Sequence, residues 1–122
     1  MADRDPRAGP AADPTLAALA ELREHVLAAA ALLDQVLTRI DSVERLRLEG
    51  VPGDRILALL GRPLLVQLVT DAAQHLDDGG ARWRRHGARA LRAQGRSMEE
   101  IARLYGVSRQ RVAALLKPHT ED

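Results

Sequence analysis

Apolar residues recur at heptad spacing through the first part of the chain: Leu19, Val26, Leu33 and Ile40 lie seven apart, interleaved with Leu22, Ala29, Val36 and Val43. Asp13 followed by Pro14 is an N-cap before the one helical position that tolerates proline, and no further Gly or Pro occurs until Gly50. The pattern predicts one long helix with a seam of about four heptads. Leu16, Ala30, Leu32, Leu37 and Leu46 widen the stripe beyond a strict two-stranded seam, while Glu21, Arg23, Glu24, Asp34, Arg39, Asp41, Glu44 and Arg45 form a solvated face. Leu19, Leu22, Val26, Leu33, Val36, Ile40 and Val43 are the candidate dimerisation residues.

Gly50, Val51, Pro52 and Gly53 mark a turn, after which Asp54 is placed to cap a further helix running to about Asp77, with a break expected at Gly61, Arg62 and Pro63. This stretch is apolar on nearly every side, with more Ile, Leu and Val than one neighbouring helix covers. Residues 14–78 are therefore read as a helical region whose remaining apolar surface is covered by a second copy. The alternative is an intramolecular bundle with the C-terminal part docked on it. Asp77, Asp78, Gly79 and Gly80 read as a short joint to a separate module over 79–118.

Within that module, residues 97–117 read SMEEIARLYGVSRQRVAALLK. Ala102 suits the close crossing of two helices. Gly106, four residues later, suits a helix end in the left-handed conformation, and Val112 suits packing of the second helix back on the first. Ile101, Leu104, Val107 and Leu115 complete the expected small core. Ser97 and Ser108 stand where N-caps belong, and Glu100, three residues after Ser97, completes a capping box. This spacing is that of a helix-turn-helix. The stretch EIARLYGVSRQRV resembles small bacterial transcriptional regulators and the fourth region of sigma factors, over about the last third of the chain. The resemblance implies a three-helix DNA-binding module, with helices over 81–94, 98–105 and 109–116, the last being the recognition helix.

Charge supports that direction. Residues 81–122 hold ten Arg or Lys against four Asp or Glu, whereas 1–80 hold eight against thirteen, so the total of +1 hides two opposed halves. A basic module beside an acidic region is the footprint of a nucleic-acid binder. Trp83 and Tyr105 are the only aromatic residues of the Phe, Trp and Tyr class, too few for base stacking along a single strand, so duplex DNA is favoured. Tyr105 is expected to fill the turn, and Trp83 to anchor its helix or lie against a sugar-phosphate backbone.

Catalytic chemistry has little foothold. The chain has no cysteine; His25, His75, His86 and His119 are scattered without metal-ligand spacing; no glycine-rich loop is suited to phosphate. Neither an enzyme nor a cofactor or metal site is expected. Residues 1–13 read as a disordered arm and 119–122 as a tail; no segment suits a membrane span, so a cytoplasmic, nucleoid-associated location is expected. The sequence thus predicts an all-α, homodimeric, sequence-specific binder of double-stranded DNA, a bacterial transcriptional regulator or a nucleoid-associated protein. Arg109, Gln110 and Arg111, with Ser108, are placed to read bases, while Arg89, Arg92, Arg96, Ser97, Arg103 and Lys117 are the phosphate candidates. The alternative is an adaptor whose apolar N-terminal helices bind a sigma factor, polymerase or partner regulator. Whether a small ligand regulates the protein is left open.

Overall fold

A computed structural model describes residues 13–118. The described residues form five helices and no strand: α1 (Pro14–Leu48), α2 (Gly53–Leu60), α3 (Leu65–Ala93), α4 (Met98–Tyr105) and α5 (Arg109–Leu116). The chain is all-α. The arm expected over 1–13 lies outside the described residues except for Asp13, and the tail over 119–122 lies outside them entirely.

Helix starts follow local chemistry. The Asp13 carboxylate accepts hydrogen bonds from the backbone N–H of Thr15 at 2.8 Å and of Leu16 at 3.4 Å, which satisfies two donors that a helix start otherwise leaves unpaired. Asp54 does not cap α2: the cap position is Pro52, two residues earlier than the sequence suggests, and Asp54 stands in the first turn, where its charge favours the helix dipole. The break between α2 and α3 falls at Gly61, as expected, and the Gln67 side chain accepts from Leu64 N–H at 2.8 Å to start α3.

Residues 77–80 are a correction to the sequence reading. They form no turn: α3 runs through them without interruption, although the division of the chain into compact units falls between Gly79 and Gly80. Each glycine within a helix costs about 1 kcal/mol relative to alanine, so local propensity favours a break there. Packing overrides it. Leu68, Ala72 and Gly79 are buried and His75 half-buried, a row spaced 4, 3 and 4 that places Gly79 on the covered face. Gln74 also donates to Asp78 at 2.9 Å one turn on.

The chain divides into two compact units, one of Arg23–Gly79 and one holding the described residues 13–22 and 80–118. The first residues of α1 thus group with the C-terminal helices rather than with the rest of 14–78. In the Arg23–Gly79 unit, Ala29, Val36, Ile56, Leu68 and Ala72 are buried. The Arg39 guanidinium donates to the carbonyls of Leu60 at 3.0 Å and Gly61 at 3.3 Å, closing the end of α2 beside a small apolar recess of about 40 Å³ lined in part by Val43, Ile56 and Leu64.

The single seam expected on α1 is split. The covered row is His25, Ala29, Leu32, Val36, Arg39, Val43 and Leu46, all buried or half-buried and alternately four and three apart. Leu22 is also half-buried, so Leu22, Ala29, Val36 and Val43 are screened within the chain. Leu19, Val26, Leu33 and Ile40 stay 40–45% exposed, because a row seven apart but three residues out of step lies on the flank of the packed stripe. Among the described residues no single helix is long and apolar enough to cross a membrane; α2 and α3 reach the required length and hydropathy together but meet at a 63° bend.

Candidate nucleic-acid interface

The second unit is built around Ala88 of α3, Ile101 of α4, and Val112 and Leu115 of α5, all buried, with Leu91, Met98, Ala102, Tyr105, Val107 and Leu116 packed on them. Ile101 and Tyr105 face inward one turn apart. Leu104, expected in this core, is 63% exposed instead. It falls between the two inward positions, and with Ala88 supplied by α3 the core closes without it.

Each helix end in this unit has a local cause. Ser97 N–H donates to Glu100 Oε1 at 3.0 Å while the Ser97 hydroxyl accepts from Glu100 N–H at 3.1 Å, the reciprocal capping box read from the sequence. Ser108 accepts from Arg111 N–H at 3.0 Å and caps α5. Between them, Gly106 ends α4 at φ +65°, left-handed backbone that costs glycine little, and Val107 N–H reaches back to Ala102 carbonyl at 3.0 Å. The turn is only Gly106, Val107 and Ser108, so α5 leaves at a fixed angle with its first residues on the surface.

Arg109, Gln110 and Arg111 are exposed at that N-terminal end of α5. Arg109 is held by Glu99 of α4 at 3.0 Å, with both side chains more than half exposed, a pair of the kind that contributes about 0–1 kcal/mol and gives way readily to a stronger acceptor. The sequence offered no signal for Glu99, because a contact ten residues away depends on the helix crossing.

The phosphate candidates divide. Arg89 donates to Lys117 carbonyl at 2.9 Å and ties the end of α5 to α3; Arg92 donates to Arg96 carbonyl at 3.0 Å at the end of its own helix; Arg96 donates to Glu100 Oε2 at 3.2 Å. These three serve helix ends inside the unit while remaining exposed. Arg103 and Lys117 are exposed on the surface of the same unit. Of the further arginines on α3, Arg82 pairs with Glu21 at 3.6 Å, and Arg85 is half-buried with its Nε enclosed and without a hydrogen-bond partner among the described residues. Trp83 stacks on His86, ring centroids 5.9 Å apart, and the Thr15 hydroxyl lies 3.1 Å from His86 Nε2, so this part of α3 is occupied with the start of α1.

The Ser97 backbone N–H, the Arg96 guanidinium and the Ser97 hydroxyl together hold the Glu100 carboxyl below its ordinary value of 4.5. A depressed carboxylate contributes stability that is present above the unfolded value and lost as pH falls through the folded one. Acid titration of the unit followed by circular dichroism should therefore show a loss beginning below about 4.5 that Glu100→Gln removes while keeping the cap, since an amide oxygen also accepts from Ser97 N–H. An unchanged acid limb in that variant would contradict the assignment.

No protein-family model, curated protein or solved structure matches the chain.

Proposed function

We propose that the chain is a sequence-specific duplex-DNA-binding regulator acting as two copies, in which α4, the Gly106 turn and α5 form a helix-turn-helix. The observation that carries this reading is the start of α5: Arg109, Gln110 and Arg111 stand exposed together immediately after a three-residue turn, on a helix whose other face is anchored by buried Val112 and Leu115. A rigid helix with an exposed Arg-Gln-Arg start suits the major groove, where Arg is matched to guanine and Gln to adenine. Its surroundings are basic: 80–118 hold ten Arg or Lys against Glu99 and Glu100 alone. Arg103 and Lys117 are the phosphate contacts of choice, with Ser97 at the start of α4 a further candidate; Arg89, Arg92 and Arg96 add field while holding helix ends. No catalytic step, metal or cofactor enters this reading, and a nucleoid location follows from it as a proposal.

A second reading, an adaptor that binds another regulator through apolar helices, is favoured by the exposed leucines and valines of α1 and α3, among them Leu33, Leu37, Val66 and Val69. The two part on one experiment: mobility shift of random and selected duplexes by the purified chain across a salt series. If about five phosphates are contacted, log affinity should fall with log salt at a slope of about −4 to −5 per module. Arg109→Ala or Gln110→Ala should cost about 1–3 kcal/mol on the selected site and little on random duplex, whereas Arg103→Ala should weaken both alike. Absence of any shift at low salt would remove the DNA reading in favour of the adaptor.

A further inference from the structure

Within the Arg23–Gly79 unit, α1 carries a second heptad row that is exposed among the described residues. Arg23, Val26, Ala30, Leu33, Leu37, Ile40 and Glu44 are alternately three and four apart and every one is exposed, each displaced by one residue from the covered row. A displacement of one residue turns the row by about 100° around the helix, so α1 presents one seam to its own unit and another outward. The apolar middle, from Val26 to Ile40, runs about 21 Å along the helix at 1.5 Å per residue. Leu27, 61% exposed, widens it.

The order of residues along this row names its occupant. Arg23 and Glu44 close the two ends at equal distances from a midpoint beside Leu33, and among the described residues neither has an ion partner. About the same midpoint, small Ala30 mirrors large Leu37, and Val26 with Leu27 mirrors Ile40. The row is complementary to its own reverse. A parallel pair would set Arg23 on Arg23, Glu44 on Glu44 and Ala30 on Ala30, which places like charges at both ends and a void between. An antiparallel pair sets Arg23 against Glu44 twice, Ala30 under Leu37 twice, and the two Leu33 side chains on either side of the two-fold axis.

We propose that the outward row of α1 is the subunit interface of an antiparallel homodimer, closed at each end by Arg23 of one protomer and Glu44 of the other. This deepens the two-copy part of the reading above, rests on that part, and does not depend on DNA binding. It also replaces the expected seam: Leu22, Ala29, Val36 and Val43 serve the chain's own packing, and Val26, Leu33 and Ile40 are joined by Ala30 and Leu37 in pairing.

Sedimentation equilibrium of the full chain tests it. The wild-type chain should be dimeric at micromolar concentration. Arg23→Glu and Glu44→Arg should each weaken dimerisation about tenfold, because two attractive contacts become repulsive, and the double reversal Arg23→Glu with Glu44→Arg should restore it. Both positions of this cycle are exposed and charged, so helix content by circular dichroism should not change. In a parallel dimer neither single reversal would matter, since like already faces like, and that result overturns the proposal. The natural chain has no cysteine, which permits a second measurement. Chains carrying Ala30→Cys mixed with chains carrying Leu37→Cys should cross-link to each other on mild oxidation, and preferential self-linking of the Ala30→Cys chain would overturn the orientation. A dimer indifferent to both charge reversals removes this interface alone. A chain that stays monomeric removes the two-copy reading with it and leaves the row to a different protein.

Discussion

Ile101→Ala is expected to cost about 2–5 kcal/mol, the range for truncating a fully buried branched side chain, because the lost transfer energy is joined by the cavity that remains. Ile101 is 0% exposed and belongs to the cluster with Ala88, Val112 and Leu115, where three helices meet. The loss falls on elements with little stability of their own. Helices of eight residues are unstable in isolation, so α4 and α5 persist only through the surface they bury. A loss of that size is comparable with the whole stability of a small domain. Unfolding of α4 would also release the Ser97 capping box and the Glu99 to Arg109 pair, so the exposed Arg-Gln-Arg start of α5 would lose its fixed presentation. The control lies three residues away. Leu104→Ala removes the same number of carbons from a side chain that is 63% exposed, and should cost about 0.5 kcal/mol or less. Urea unfolding followed by circular dichroism measures both, and equal losses at 101 and 104 would contradict the core described here.

The contrast between Ile101 and Leu104 shows where the sequence is readable and where it is not. Most caps are readable because they are local, Asp54 being the exception. Asp13, Ser97 with Glu100, Gly106 and Ser108 each act on backbone groups within a few residues, and each does in the structure what its spacing indicates. The all-α class is readable for the same reason, from heptad spacing and uninterrupted helical stretches. What the sequence leaves undetermined is settled across distances it does not display. Leu104 is apolar and in a plausible register, but α3 brings Ala88 to the core and leaves Leu104 outside. The run Asp77 to Gly80 has the composition of a turn, yet Gly79 belongs to a covered helix face. On α1 two overlapping heptads share one sequence, and only the packed structure separates the covered row from the outward one. Among the site residues, Arg109, Gln110 and Arg111 stay on the surface as expected from the cap position, because their placement follows from Ser108. Arg89 and Arg92 look like free surface charge in the sequence; their bonds to the carbonyls of Lys117 and Arg96 depend on how helix ends meet.

Gly87 is the position at which local and tertiary preferences oppose each other most directly. It lies inside α3, where alanine is favoured over glycine by about 1 kcal/mol, so helix propensity alone predicts that Gly87→Ala stabilises the protein. The structure predicts the opposite. The Tyr105 hydroxyl rests against the Gly87 backbone, in the space a methyl group would take. Tyr105 is a rigid ring packed on the Ile101 core, so it has little freedom to withdraw, and overpacking of this kind costs about 1–3 kcal/mol. Gly87→Ala should therefore lower the stability of the unit, by up to about 2 kcal/mol after the propensity gain is subtracted. The obstruction is one oxygen atom. With Tyr105→Phe in place, the nearest ring carbon lies 3.4 Å from the added methyl, an ordinary contact. In that background the same Gly87→Ala change should become stabilising by about 0.5–1 kcal/mol, since only the helix term remains. The double-mutant cycle thus has a coupling energy of about 2 kcal/mol and a change of sign between backgrounds. Denaturant midpoints of the four proteins measure it. If Gly87→Ala has the same effect with Tyr105 as with Phe at that position, α4 does not meet α3 at Gly87, and the angle at which the Gly106 turn presents α5 is set by other contacts.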